Sequence, residues 1–163
     1  MSFNPGSLKT PKLRHAHEYW DSKRNGRKMP SRGDLDPGEM TEWLSDTLLA
    51  DVTYDPLDFR FRLVGTNIAI HYGVDVTGRC LRELDLDQVA EQVFAEYALT
   101  VTTGEPTWFE DDFVSNSGKR MHYERLLMPL SDDGKTVNML FGVRCRITGP
   151  SPIGNNPCKT RRV

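Results

Sequence analysis

Residues 85–104, DLDQVAEQVFAEYALTVTTG, carry the longest helical pattern of the chain. Its apolar residues recur at the spacing of one helix face, namely Val89, Ala90, Val93, Phe94, Tyr97, Ala98 and Val101. Asp85 stands at the N-cap position, Gln88 follows three residues later, and Gly104 ends the pattern. A helix with one apolar face must bury that face against other elements of the chain.

Strand patterns lie on both sides of this helix. Two strands are predicted before it and three after it, over residues 45–54, 57–65, 105–114, 119–130 and 136–147. Asp55-Pro56 predicts the turn of the first hairpin. Apolar and polar residues alternate in the second and fifth of these segments, which is typical of an antiparallel sheet. The pattern therefore predicts an α+β fold, in which helices cover one face of a five-stranded antiparallel sheet.

The sequence divides into an N-terminal arm and helix (1–26), a domain (27–147) and a tail (148–163) rich in Pro, Gly and Asn. We expect the tail to be disordered and the first 11 residues to be a loose arm. Residues 12–25 predict a helix with a thin apolar stripe, formed by Leu13, Ala16, Tyr19 and Trp20. This stripe either docks a partner or a second copy of the chain, or packs on its own domain.

Composition limits the functional classes. The 163 residues have a net charge of −2, with 37% hydrophobic and 27% charged residues, as in ordinary globular proteins. This charge argues against nucleic acid as a partner, and no apolar stretch is long enough to cross a membrane. The N-terminus has no apolar signal segment, and Cys80, Cys145 and Cys158 show no paired spacing. We therefore expect a cytoplasmic protein with reduced thiols and no integral membrane contact.

Aromatic residues from the strands and helices are expected to converge beneath the long helix. Such a group lines a cavity for a small apolar or planar ligand, or it fills a solid core. The candidate pocket residues are Phe61, Tyr72, Val93, Tyr97, Trp108, Tyr123 and Phe141.

An acid–base site is the alternative. His122, with Asp111 or Asp112, offers an imidazole and a carboxylate to a small cone-shaped enzyme of the isomerase or dehydratase type. Adjacent carboxylates on a strand point to alternate faces, and a solvated strand end is the favoured interpretation of them. No spacing of His, Cys or Asp predicts a metal site.

Three runs of sequence resemble Per-Arnt-Sim (PAS) sensory domains, and in particular a bacterial group of small single-domain PAS proteins. They are FRFRLVGTNIAIHYGVDVTGRCLREL (59–84), YERLLMPLSDDGKTVNMLFGV (123–143) and EYWDSKRNGRKMPSRGDLDPGEM (18–40). The resemblance covers about residues 15–147. It implies a cytoplasmic signalling or interaction module without catalysis, often dimeric, which docks on other signalling proteins and in some cases binds a small ligand between the long helix and the sheet.

The resemblance also raises the question of a cofactor, and we predict none. Light-oxygen-voltage members of the PAS group form a flavin adduct through a Cys in the motif G-x-N-C-R-F-L-Q. Around Cys80 this chain reads GRCLRE, which lacks the Asn, the Phe and the Gln and places the Cys one position early. Haem-binding members commonly use a His of the long helix, but His71 and His122 lie outside it.

Overall fold

The computed structural model describes residues 3–84, 88–114, 117–147 and 161–162, whose strands form one sheet. The strands are β1 (Thr47–Thr53), β2 (Asp58–Val64), β3 (Thr107–Val114), β4 (Arg120–Leu130), β5 (Met139–Ile147) and the two-residue β6 (Arg161–Arg162). The spatial order is β2-β1-β5-β4-β3-β6. The first five strands pair antiparallel, and β6 runs parallel to β3. The predicted five-stranded antiparallel sheet is confirmed. The predicted disordered tail lies outside the described residues, except for the backbone of β6.

Three α-helices accompany the sheet: α1 (Pro11–Lys23), α2 (Thr66–Tyr72) and α3 (Gln88–Thr103). Single 3-10 turns occur at Pro5–Ser7, Arg32–Asp34, Pro37–Glu39, Leu44–Asp46 and Leu81–Glu83. As predicted, α3 ends at Gly104, whose φ of +62° favours glycine. The predicted N-cap Asp85 lies outside the described residues.

Two neighbouring residues of β4 show which helix lies on each side of the sheet, because successive strand residues point to opposite faces. Arg125 forms an ion pair with Glu96 of α3, whereas Glu124 accepts hydrogen bonds from Thr10, directly before α1. We call the side of α3 the inner face and the side of α1 the outer face. Helices thus cover both faces, whereas the sequence predicted them on one face and left the N-terminal helix open.

Part of the core of the inner face forms where α3 packs against β2. Val93 and Tyr97 of α3 are buried, and Tyr97 packs edge-on against Phe59 and Phe61 of β2, with ring centroids 5.2 Å and 6.4 Å apart. Each such side chain contributes about 1.5–3 kcal/mol by leaving water. The alternating pattern of β2 thus has the physical basis that the sequence indicated.

The outer face is covered by α1 and by the segment before it. Leu13, Ala16 and Trp20 are buried, and Trp20 Nε1 donates a hydrogen bond to the carbonyl of Pro129 at 2.9 Å. Leu8 is only 2% exposed. Residues 4–7 are exposed, whereas the predicted loose arm packs against the domain from Leu8 onward. The packing partners of this segment lie on β4, more than 100 residues away, where local sequence patterns give no signal.

Candidate functional site

A cleft of about 1000 Å³ opens between α2 and the far end of β5. It forms because β1 begins opposite Val143, so the last four residues of β5 have no strand neighbour on that side. The cleft is lined by Lys12, Asp46, Asn67, Ile70, His71, Tyr72, Gly73, Ser117, Met121, Tyr123, Arg144, Cys145 and Arg146. Its size falls at the upper end of small-molecule sites.

Two glycines fix α2, which forms one side of the cleft. A Cβ on Gly65, directly before the helix, would lie 2.4 Å from the carbonyl oxygen of Ser45, so the close approach of the backbones requires a glycine there. Gly73, with φ +72°, ends the helix in the left-handed conformation. The start of the helix is therefore held against the turn Leu44–Asp46, directly before β1.

Arg144 is the cation in the floor of this cleft. Its guanidinium carbon lies 4.4 Å from the centroid of the Tyr123 ring, and Nη2 donates a long hydrogen bond of 3.4 Å to the carbonyl of Asn67. Its Nε is buried without a hydrogen-bond partner in the part of the chain that the structure describes. Burial lowers the pKa of Arg144. No carboxylate among the described residues forms an ion pair with it.

Aromatic side chains form the wall of the cleft beside Arg144. The ring of His71 lies 5.5 Å from that of Tyr72 and 5.5 Å from that of Tyr123 in edge-on geometry. Ile70, at the rim, is 77% exposed, an unusual position for a large apolar side chain. The cleft thus combines a cation with an aromatic wall and an apolar rim.

Asp46 connects the cleft to α1. Its carboxylate accepts hydrogen bonds from Lys12 Nζ of α1 at 2.8 Å and from Asn67 Nδ2 of α2 at 2.9 Å. The hydrogen bond to Asp46 raises the pKa of Lys12. Because Asn67 also receives the hydrogen bond of Arg144, a short polar chain runs from the cleft floor to the N-terminal helix.

The seven predicted pocket residues separate into three places. Phe61, Val93 and Tyr97 pack together beneath α3, where burial raises the pKa of Tyr97. Tyr72 and Tyr123 line the cleft. The remaining two lie on the outer face: Trp108 donates to Glu124, and Phe141 lies opposite Met128 in the neighbouring strand.

Strand parity explains this separation. The apolar face of β5 that contains Phe141 faces α1, not α3, as its pairing with the outer-face residues of β4 shows. The expectation that Phe141 lies beneath the long helix was therefore wrong. Arg144, in contrast, belongs to the polar set in the alternation of this strand. A burial signal for it is absent from the sequence, since an Arg in an alternating strand indicates an exposed face.

A buried ion pair links α3 to the sheet, and sequence reasoning missed it. Arg125 contacts Glu96 and lies 3.0 Å from Asp111 of β3. Burial lowers the pKa of Arg125, but the two carboxylates outweigh burial and raise it overall. Glu96 lies between Val93 and Thr100 on the buried face of α3, which is the one clue that the spacing offered.

On the outer face, Glu124 anchors the N-terminal segment. It is fully buried, and its carboxylate accepts four hydrogen bonds. The donors are Lys9 N at 2.6 Å, Thr10 N at 2.9 Å, Thr10 Oγ1 at 2.7 Å and Trp108 Nε1 at 2.7 Å. Glu124 thereby joins the start of α1 to two strands.

His122 lies beside this anchor, held between two carboxylates. Its Nδ1 is 2.7 Å from Asp112, and its Nε2 is 2.7 Å from Glu110, which also pairs with Lys9. The predicted pairing with Asp112 is therefore present, whereas Asp111 points to the inner face. Glu110 is the partner that the sequence analysis did not select. Both ring nitrogens are occupied in a buried place.

Most of the stripe on the N-terminal helix that was considered for partner docking is buried within the protein. Leu13, Ala16 and Trp20 pack on their own domain, the second of the two alternatives. Tyr19 remains half-buried, and its hydroxyl donates to Glu39 at 3.0 Å. Three of the four residues are thus unavailable as a surface in this conformation.

Beneath α3, the described rings of Phe59, Phe61 and Tyr97 pack edge to face. Cys80 lies directly before the turn Leu81–Glu83, and its backbone pairs with that of Arg60 of β2 in an isolated antiparallel bridge. Searches of the described residues find no cluster of three metal-binding side chains and no helix long and apolar enough to span a membrane.

Solved structures similar to this chain are PAS and light-oxygen-voltage domains. The PAS domain of BvgS from Bordetella pertussis is 21% identical with a TM-score of 0.49, covering 63% of this chain and 76% of that one. A light-oxygen-voltage domain that was studied with a flavin analogue is 18% identical with a TM-score of 0.46. The match covers 63% of this chain and 76% of that one. The PAS domain of an HTR-like protein from Haloarcula marismortui is 21% identical with a TM-score of 0.40, covering 62% and 81%.

With TM-scores below 0.5, these likenesses carry no conclusion about this chain. A comparison with curated proteins finds no match. A family model described as PAS domain, however, matches residues 8–145, a span that includes α1, β1 to β4 and most of β5. By this match, the chain belongs to the PAS domain family.

Proposed function

We propose that this protein is a non-enzymatic sensory module of bacterial signal transduction, which binds a small ligand and acts by docking on other signalling proteins. Membership of the PAS family supports the sensory role. The site we propose for the ligand is the cleft between α2 and β5, because the space beneath α3 contains tightly packed rings.

The observation that carries this proposal is the link through Asp46. The same carboxylate holds Lys12 of α1 and Asn67 of α2, and all three side chains line the cleft. A ligand that binds there contacts both helices at once. It can therefore favour one packing of α1 over another, and such a difference in affinity between two states is what a sensor requires.

The environment of His122 supports the absence of catalysis. Its Nδ1 and Nε2 lie 2.7 Å from Asp112 and Glu110, so both nitrogens already face carboxylates of the protein. The ring is also only 5% exposed, which leaves no nitrogen to act on a substrate. His122 therefore does not support the alternative of a cone-shaped enzyme, which required it as the acid–base group.

For the partners, we propose a homodimer and contacts with other signalling proteins through the exposed side of α1. The buried stripe leaves that side as the available one, and it carries the charged residues of the helix. A change in α1 packing would then reach a bound partner directly.

Native mass spectrometry of the protein purified from its own host, with an absorbance scan of the same sample, tests this proposal. We expect a dimer or a complex with a second protein, and a bound molecule of small mass without visible absorbance. A bare monomer with neither ligand nor partner would contradict the proposed function. A coloured sample would show that a cofactor, and not a colourless ligand, is the sensing group.

A further inference from the structure

We propose that the cleft between α2 and β5 is an anion site, which takes a small organic molecule with a carboxylate or phosphate group and an apolar or aromatic body. This inference rests on the proposed function only in that the bound molecule would be the signal. The charged group pairs with Arg144, and the apolar body lies against the aromatic wall.

Arg144 carries the inference because its charge is partly desolvated and forms no ion pair with a carboxylate in the described part of the chain. Its Nε is buried without a partner in the described part of the chain, and its one protein hydrogen bond goes to a neutral carbonyl at 3.4 Å. A buried charge without a counter-charge destabilises the protein that holds it. Guanidinium groups bind carboxylates and phosphates with paired hydrogen bonds, so an anion supplies what the protein omits.

The charge balance of the cleft agrees with this. Its lining contains three cations, Lys12, Arg144 and Arg146, and one carboxylate, Asp46. Asp46 is already paired with Lys12. The two arginines therefore give the cleft an excess of two positive charges, in a protein whose overall charge is −2. A negatively charged molecule is favoured at this place against the net charge of the chain.

The apolar surroundings define the rest of the ligand. The guanidinium lies over the ring of Tyr123, and Met121 and Tyr72 line the same cleft. Ile70 adds an exposed apolar rim. A bare inorganic ion would leave these surfaces in contact with water, whereas a molecule with a planar or aliphatic body covers them.

The arrangement also predicts how the ligand-free protein responds to mutation. A structural arginine would lower stability when replaced. Arg144 has no ion-pair partner among the described residues, so R144Q should leave the thermal midpoint unchanged or raise it slightly. This expectation separates loss of binding from loss of folding.

The test is calorimetric titration of the full chain with benzoate, phenyl phosphate and the neutral analogue benzamide. Wild type, R144Q and the surface control R60Q are compared, and the Nε–H signal of Arg144 is followed by NMR. We expect one or both anions to bind at least about tenfold more tightly than benzamide, since a hydrogen bond to a charged group contributes this much. R144Q should lose that preference, and R60Q should keep it.

The two anions distinguish a carboxylate site from a phosphate site. Equal binding of benzamide and the anions, an unchanged preference in R144Q, or no binding of any of the three at millimolar concentration would overturn the inference. A neutral molecule found in native mass spectra would overturn it too, while leaving the sensory function intact. Anion binding at Arg144 together with a bare monomer from the host would support this inference and contradict the proposed sensory function.

Discussion

Replacing Glu124 by Gln tests whether the N-terminal segment is an integral part of the domain. The carboxylate is fully buried and accepts hydrogen bonds from two backbone amides, one hydroxyl and one indole. Gln has the same shape but exchanges one acceptor oxygen for an NH2 group. Whichever way the amide turns, at least one backbone N–H of Lys9 or Thr10 then faces a donor.

The magnitude follows from these contacts. The Thr10 hydroxyl can rotate and accept from the new NH2 group, so the smallest loss is one hydrogen bond between a backbone amide and a charged acceptor. Such a bond contributes about 1.5–3 kcal/mol, and the bonds that remain lose their charge assistance. We expect E124Q to lower the free energy of unfolding by about 2–4 kcal/mol in total. For a chain of this size, that corresponds to a fall of about 4–16 °C in the melting temperature.

The assay is urea unfolding together with amide hydrogen exchange of residues 8–13. E105Q, the same exchange at an exposed position, is the matched control and should lie within about 0.5 kcal/mol of wild type. Exchange at the start of α1 should accelerate in E124Q alone. If E124Q unfolds at the same urea concentration as wild type, then Glu124 does not hold the segment and the structural reasoning fails.

Three further predictions concern other parts of the fold. G65A should destabilise by about 1–3 kcal/mol in urea unfolding, because its Cβ would meet the Ser45 carbonyl at 2.4 Å, whereas G33A has room and should be neutral; equal stability of the two would contradict the close approach of α2. R125M should destabilise by about 3–5 kcal/mol, since two carboxylates lose their buried cation, and a neutral effect in thermal melting would show that the ion pair is dispensable. Hydrogen bonds from its own turn lower the pKa of Asp133, so the ionised side chain stabilises the fold fully at neutral pH. This contribution is lost as the pH falls below about 4 toward the pKa of the folded state. NMR titration measures this pKa, and D133N should remove the acid dependence of stability.

The sequence was informative wherever structure depends on neighbours along the chain. The alternation in β2 and β5, the spacing in α3 and the glycine after it all act locally, so the strands, the long helix and their order could be predicted. The PAS resemblance rested on the same local turns. Element bounds differ from the predicted ones by only a few residues.

The candidate site depends on contacts between segments that are distant in sequence, and local sequence patterns do not predict such contacts. Glu124 meets Thr10 across 114 residues, and Arg144 meets Asn67 across 77. A charged residue in an alternating strand predicts an exposed face, yet here both faces of β4 and β5 are covered. The number of helices on each face was the missing information, and with it the parity of β4 would have followed.

Three consecutive residues of β4 bring the parts of the molecule together. Tyr123 stacks on Arg144 in the cleft, Glu124 holds the segment before α1, and Arg125 pairs with Glu96 of α3. Because the strand backbone joins them rigidly, a ligand that moves the Tyr123 ring acts on a strand whose next two side chains anchor two helices on opposite faces. The proposed sensor therefore needs no long pathway, because three consecutive residues of β4 contact the cleft, the segment before α1, and α3.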